Sequence, residues 1–246
     1  MIFYFSGISD RHTYSLLDGI VTDFLVDDSD IDNLPPAQRI GMLDSGAYRL
    51  YKKGLEISRK NFIHVTQQVA ERCERIVAPD VIGKPDRTLD NFEAVRNFSH
   101  LSDKIFPVWQ WNAPQKHLDY YLSQSELVGI GGLARIFHLD KTPEEKQNRD
   151  RVLSELKQIC QSYPKRFHIF GLNYLKAIEE LSPLIFSADS SVWLRGAKYA
   201  YVIFTNAKNG HLTQAPARAI PEFARLNRDQ RCAVSAKNIN NFCKRF

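Results

Sequence analysis

No stretch of this 246-residue chain approaches the roughly 20 consecutive apolar residues of a membrane-spanning helix, so no membrane partner is expected. Cysteine is sparse and dispersed. Cys73, Cys160, Cys232 and Cys243 form no C-x-x-C pair, and the last two with His211 fit no tetrahedral zinc spacing. The four read as free thiols of a reducing compartment, and no metal is expected. Neither G-x-G-x-x-G nor G-x-x-x-x-G-K-[ST] occurs at any strand-to-helix turn, which argues against nucleotide-binding folds. The N-terminus, MIFYFSGISDRH, lacks a basic region ahead of an apolar core. It reads as a first strand rather than a signal peptide, so a cytoplasmic location is expected (the host cytoplasm for a viral chain). Repeats, low-complexity tracts and linkers are also missing. A single domain over residues 1–246 is therefore expected.

What is present is an ordinary globular composition, 43% hydrophobic and 25% charged. The net charge of +5 is a modest basic excess, which suits a nucleic-acid partner without requiring one. Eight short apolar segments begin at Ile2, Ile20, Arg39, Arg75, Ile105, Leu127, Phe167 and Leu184. Several are nearly continuous hydrophobic runs, as parallel strands covered on both faces should be. Helical stretches separate them: one after Ser58, one from Pro85 to Phe98, one from Pro114 to Leu122, and a long one opened by Thr142-Pro143-Glu144-Glu145. Strands alternating with helices predict an α/β fold with a parallel sheet, and eight such units predict a (β/α)8 TIM barrel. A doubly wound open sheet is the alternative. Residues 212–246 read as a short basic helical cap.

The polar residues are placed suggestively. Consecutive candidate strands end at Asp44, Asp80, Gln110, Gly131-Gly132, Gly171 and Asp189. For one Asp, a helix N-cap is the simpler account. For the whole set, convergence of C-terminal strand ends on one pocket is more economical. Two carboxylates in one pocket can divide labour as nucleophile and general acid/base, and a carboxylate can hold an anomeric carbon as a glycosyl ester. A further Asp and an amide suit a purine edge, and Gly131, Gly132 and Gly171 would let the backbone approach it. Tyr48 and Phe170 could sandwich the base plane.

The segments LDSGAY (Leu43 to Tyr48), APDVIGKPDRTLDNF (Ala78 to Phe92), FPVWQ, VGIGGLAR (Val128 to Arg135), FHIFGLN and SADSSVWLRGAKY (Ser187 to Tyr199) resemble the tRNA-guanine transglycosylase superfamily, in that family's order. The order D-S-G-x-[FY], then G-G-L, then a late strand-end Asp carries the resemblance. The resemblance implies that Asp189 is the nucleophile and Asp44 the general acid/base, with Ser45 lining the site. It implies that Asp80, Gln110 and the backbone at Gly132 and Leu133 read a guanine-like edge, with Tyr48 and Phe170 sandwiching the base. Arg195 would meet a phosphate; Lys52, Lys53, Arg135 and Lys198 are further candidate backbone contacts, although a solvated charge explains each one alone.

The chain also departs from the family. It has no C-x-C-x-x-C zinc motif, is shorter than the tRNA enzymes, and continues after G-G-L as Ala134-Arg135-Ile136-Phe137 without the acidic residue of bacterial members. In this it looks closer to the compact enzymes, phage versions included, that insert 7-deazaguanines into DNA. The leading expectation is cofactor-free exchange of guanine in DNA for a free 7-deazaguanine base such as preQ0 or a derivative. The same exchange on tRNA, a non-catalytic nucleic-acid-binding subunit and a glycoside hydrolase are the alternatives. A second copy of the chain or a partner protein is one way to supply the missing nucleic-acid platform.

Overall fold

A computed structural model describes residues 1–97, 103–137, 142–194 and 199–246. All eight apolar segments contain strand: β1 (Ile2–Phe5), β2 (Leu25–Asp27), β3 (Ile40–Asp44), β4 (Cys73–Val77), β5 (Ile105–Phe106) with β6 (Val108–Gln110), β7 (Val128–Gly131), β8 (Phe167–Ile169) and β9 (Ser187–Ser190). The closed (β/α)8 barrel predicted from their number does not form. The parallel strands pair instead as a five-stranded sheet, in the order β1-β9-β8-β7-β6, and a four-stranded sheet, β2-β3-β4-β5. Two local causes interrupt the ladder. The segment IFPVWQ is not one strand, because Pro107 has no N–H and divides β5 from β6. The β2 ladder is only three residues long, so β1 meets that chain segment through a lone bridge, Phe5 to Phe24.

Side chains alternate between two layers, as the period of a strand requires. Phe3, Phe5, Val26, Leu43, Ile169 and Ala188 face outward into the large core shared with the helices. Tyr4, Leu25, Met42, Val77, Phe106 and Val108 face inward, from both sheets, into a small second core. The helices follow from their caps and apolar stripes. In α1 (Arg11–Ser15) the Asp10 carboxylate accepts from the Thr13 amide, and α2 (Ala47–Lys52) starts directly after β3. The Ser58 hydroxyl caps α3 (Arg59–Val69), which buries Phe62, Thr66 and Val69. Proline opens α4 (Pro85–Arg96), and α5 (Gln115–Gln124) follows Pro114. A capping box of Thr142 and Glu145 starts α6 (Pro143–Ser162), which buries Val152, Leu153, Leu156 and Cys160. The short α7 (Leu175–Leu181) leads back to β9.

The C-terminal region is not wholly helical as expected. β10 (Tyr201–Thr205) and β11 (Leu212–Pro216) form an antiparallel hairpin, and α8 (Arg228–Cys243) packs on it, with Ser235 Oγ accepting from the Ile203 amide at 3.0 Å. All four cysteines are buried and unbridged. Among the described residues no helix is long and apolar enough to cross a membrane.

Candidate active site

The inward-facing residues change character along the strands. Apolar side chains fill the middle of the inner layer, and carboxylates occupy the C-terminal ends. Asp27 and Asp44 are register partners at the ends of β2 and β3, and Asp189 pairs with Tyr4 near the end of β9. With Asp80, from the loop after β4, they border a cavity of about 560 Å3. Tyr48, Gly131, Gly132, Arg135, Phe170 and Gly171 also line it, so most of the residues expected to form one pocket do meet there. The volume falls within the roughly 300–1,000 Å3 of small-molecule sites.

The carboxylates are in different environments. Burial, and then the charges of Asp80, Asp27 and Asp189, push the Asp44 carboxyl up to about 8. Asp44 is therefore mostly protonated at neutral pH and can donate. Burial also raises Asp80, against hydrogen bonds that favour its charged form. Those bonds come from Gln110 Nε2 to Oδ2 at 3.1 Å and Ser45 Oγ to Oδ1 at 3.3 Å. Asp189 Oδ1 accepts from the Gly171 amide at 2.9 Å.

Two expected side-chain contacts with the substrate have other duties. Ser45 and Gln110 do not line the cavity but orient Asp80, and Gln110 Oε1 accepts from the Gly83 amide at 2.8 Å. Leu133 is buried in the outer core, and its carbonyl accepts from Ile136 and Phe137. Two of the three lysines expected to meet nucleic acid, Lys52 and Lys53, are exposed and outside the cavity; Lys52 Nζ sits 4.6 Å from the Tyr48 ring centroid. Arg195 and Lys198 lie outside the described residues.

Sequence reasoning missed an acidic wall. Asp27 and Asp30 line the cavity, and the strand-end rule that found Asp44 would have found Asp27 had it been applied to β2. Arg49 Nε lies 3.0 Å from both Asp27 oxygens, and Arg49 Nη2 lies 2.5 Å from Asp28 Oδ1. Burial raises Asp27, but hydrogen bonds from Asp28, Arg49 and Ser29 outweigh it and hold the carboxyl at about 2. Burial and the adjoining Asp27 push Asp28 to about 6. Gly46 makes this clamp possible: at φ +73°, a Cβ there would stand 2.8 Å from Arg49 Nη2. A second glycine shapes the opposite wall. A Cβ on Gly129 would come within 2.5 Å of Phe170 Cε2, so only glycine lets that ring lie across β7.

Among the described residues no three His, Cys, Asp or Glu side chains gather as a metal site. Compared with known proteins, the chain matches no family model and no curated protein sequence.

Proposed function

We propose that this chain is a base-exchange enzyme of the guanine transglycosylase type, acting on DNA through a covalent aspartyl-sugar intermediate. One observation carries the reading: Asp44, Asp80 and Asp189 border one cavity together with the aromatic rings of Tyr48 and Phe170. The site supports it rather than the fold, since one architecture hosts many chemistries. Asp189 forms a bond to C1′ of the nucleotide while the C1′–N9 bond breaks. The electron pair goes to N9 of the departing guanine, which takes a proton from the Asp44 carboxyl, the group held protonated at neutral pH. A 7-deazaguanine then enters, its N9 bonds to C1′ and returns a proton to Asp44. The C1′–O bond breaks with its electrons going back to Asp189. Asp80, held by Ser45 and Gln110, accepts from the N–H groups of the base edge. The target base must leave its stack to enter, which costs less in single strands than in a duplex.

The test is incorporation of labelled 7-deazaguanine into DNA and into tRNA. Asp189→Ala should abolish both incorporation and the protein–nucleic-acid adduct on denaturing gels. Exchange that persists in Asp189→Ala refutes the nucleophile, and incorporation into tRNA alone moves the reading to the RNA polymer.

A further inference from the structure

A histidine with no part in the chemistry above lies directly behind the proposed nucleophile. His168, on β8, is completely buried. Its ring centroid is 4.4 Å from that of Phe170, 5.9 Å from that of Tyr4 and 6.2 Å from that of Phe106. Both nitrogens point at polar groups of β9. Nδ1 is 2.9 Å from Ser187 Oγ, and Nε2 is 3.5 Å from Asp189 Oδ1. At that distance Nε2 makes no good hydrogen bond, and it has no other partner among the described residues. An imidazole buried among aromatic rings is costly unless its polar atoms are used, and Phe or Leu would fill the same space without that cost.

We propose that His168 is a positioning residue for Asp189: its Nε2–H holds Oδ1, so that Oδ2 is the oxygen that attacks. The tautomer follows from the neighbours. A hydroxyl can donate to Nδ1, whereas a carboxylate oxygen can only accept, so a lone pair on Nε2 would face a second lone pair. With Nε2 protonated, Ser187 O–H donates to Nδ1 and Nε2–H points at Oδ1, a bond that shortens as the reacting complex forms. Oδ1 then receives two donors, His168 and the Gly171 amide. Oδ2 has no hydrogen bond among the described residues, and Asp189 borders the cavity.

This inference rests on the transglycosylase reading, and it has a kinetic consequence that a packing role lacks. Donors to Oδ1 favour the carboxylate over the ester, in which that oxygen carries less charge. His168 therefore promotes breakdown of the glycosyl ester relative to its formation. A hydrogen bond to a charged group is worth enough to change that ratio about tenfold or more.

Two measurements test it. In the first, ester formation and breakdown rates are compared in wild type, His168→Phe and His168→Gln by quenched flow and denaturing gels. The breakdown-to-formation ratio should fall about tenfold in His168→Phe, so that adduct accumulates, and the amide donor of His168→Gln should restore much of it. A ratio unchanged in His168→Phe overturns the proposal. The second needs no activity and no variant at position 168: nitrogen NMR of the wild-type imidazole. An Nε2–H tautomer whose Nε2 signal moves in Asp189→Asn supports the pair, and an Nδ1–H tautomer overturns it. Absence of exchange by the wild type on both DNA and tRNA would refute the transglycosylase reading instead, with the NMR result still deciding the His168–Asp189 contact.

Discussion

Replacing Asp44 by asparagine should make the protein more stable, and increasingly so as the pH rises. The Asp44 carboxyl stands at about 8 in the folded chain against an ordinary 3.8, because it is buried beside three other carboxylates. Below 3.8 the folded and unfolded chains both hold this proton, and the site contributes its full stability. As pH climbs from 3.8 towards 8 the unfolded chain releases the proton and the folded one keeps it, so stability drains away until the folded carboxyl also ionises. At about 1.36 kcal/mol for each tenfold change in proton affinity, that interval corresponds to ~6 kcal/mol. Asp44 borders an open cavity, so screening reduces the usable figure to ~2–3 kcal/mol. Asparagine keeps the shape and loses the titration. The Tm of Asp44→Asn should match wild type near pH 4 and exceed it by roughly 4–12 °C at pH 9. Thermal unfolding followed by intrinsic fluorescence across this range is sufficient. A difference that is independent of pH, or a wild type that is the more stable protein at pH 9, would refute the account of Asp44.

Arg49→Ala should destabilise the protein by about 1–3 kcal/mol at neutral pH, since it leaves Asp27 and Asp28 without their shared cation. Asp27 is held at about 2, so its share of this stability is present above 3.8 and fades as pH falls towards 2. Urea midpoints that differ equally at pH 7 and pH 2.5 would contradict the clamp. Gly129→Ala should cost about 1–3 kcal/mol by overpacking against Phe170, read from the same denaturation curves, and an unchanged midpoint would show that the ring has room to move.

The strands were easy to read because parallel strands bury both faces, and each apolar run from Ile2 to Asp189 does contain strand, the run at Ile105 in two pieces. Counting them did not reveal how they pair. A single residue, Pro107, and the brevity of β2 decide where the ladders stop, and hydrophobic periodicity is blind to both. The hairpin Tyr201–Pro216 was missed for a related reason, since the basic and polar residues that follow suggested a helix. In the site, strand ends predicted location well, as Asp44, Asp80 and Asp189 show. They did not predict partnership. That Gln110 and Ser45 serve Asp80 depends on side-chain direction across strands about 30 residues apart, which one sequence does not encode legibly. His168 was hidden for the same reason, in a run that looks uniformly apolar.

The four buried cysteines have a practical consequence. Burial pushes Cys73 to about 11 and Cys160 and Cys243 to about 12, and it raises Cys232 as well. Almost no thiolate exists on any of them at neutral pH, so an alkylating reagent must wait for the surrounding structure to part. The sulfurs sit at the start of β4, late in α6 and at both ends of α8. Each labelling rate is thus a local stopwatch, and the chain carries timers for separate regions without any engineered probe.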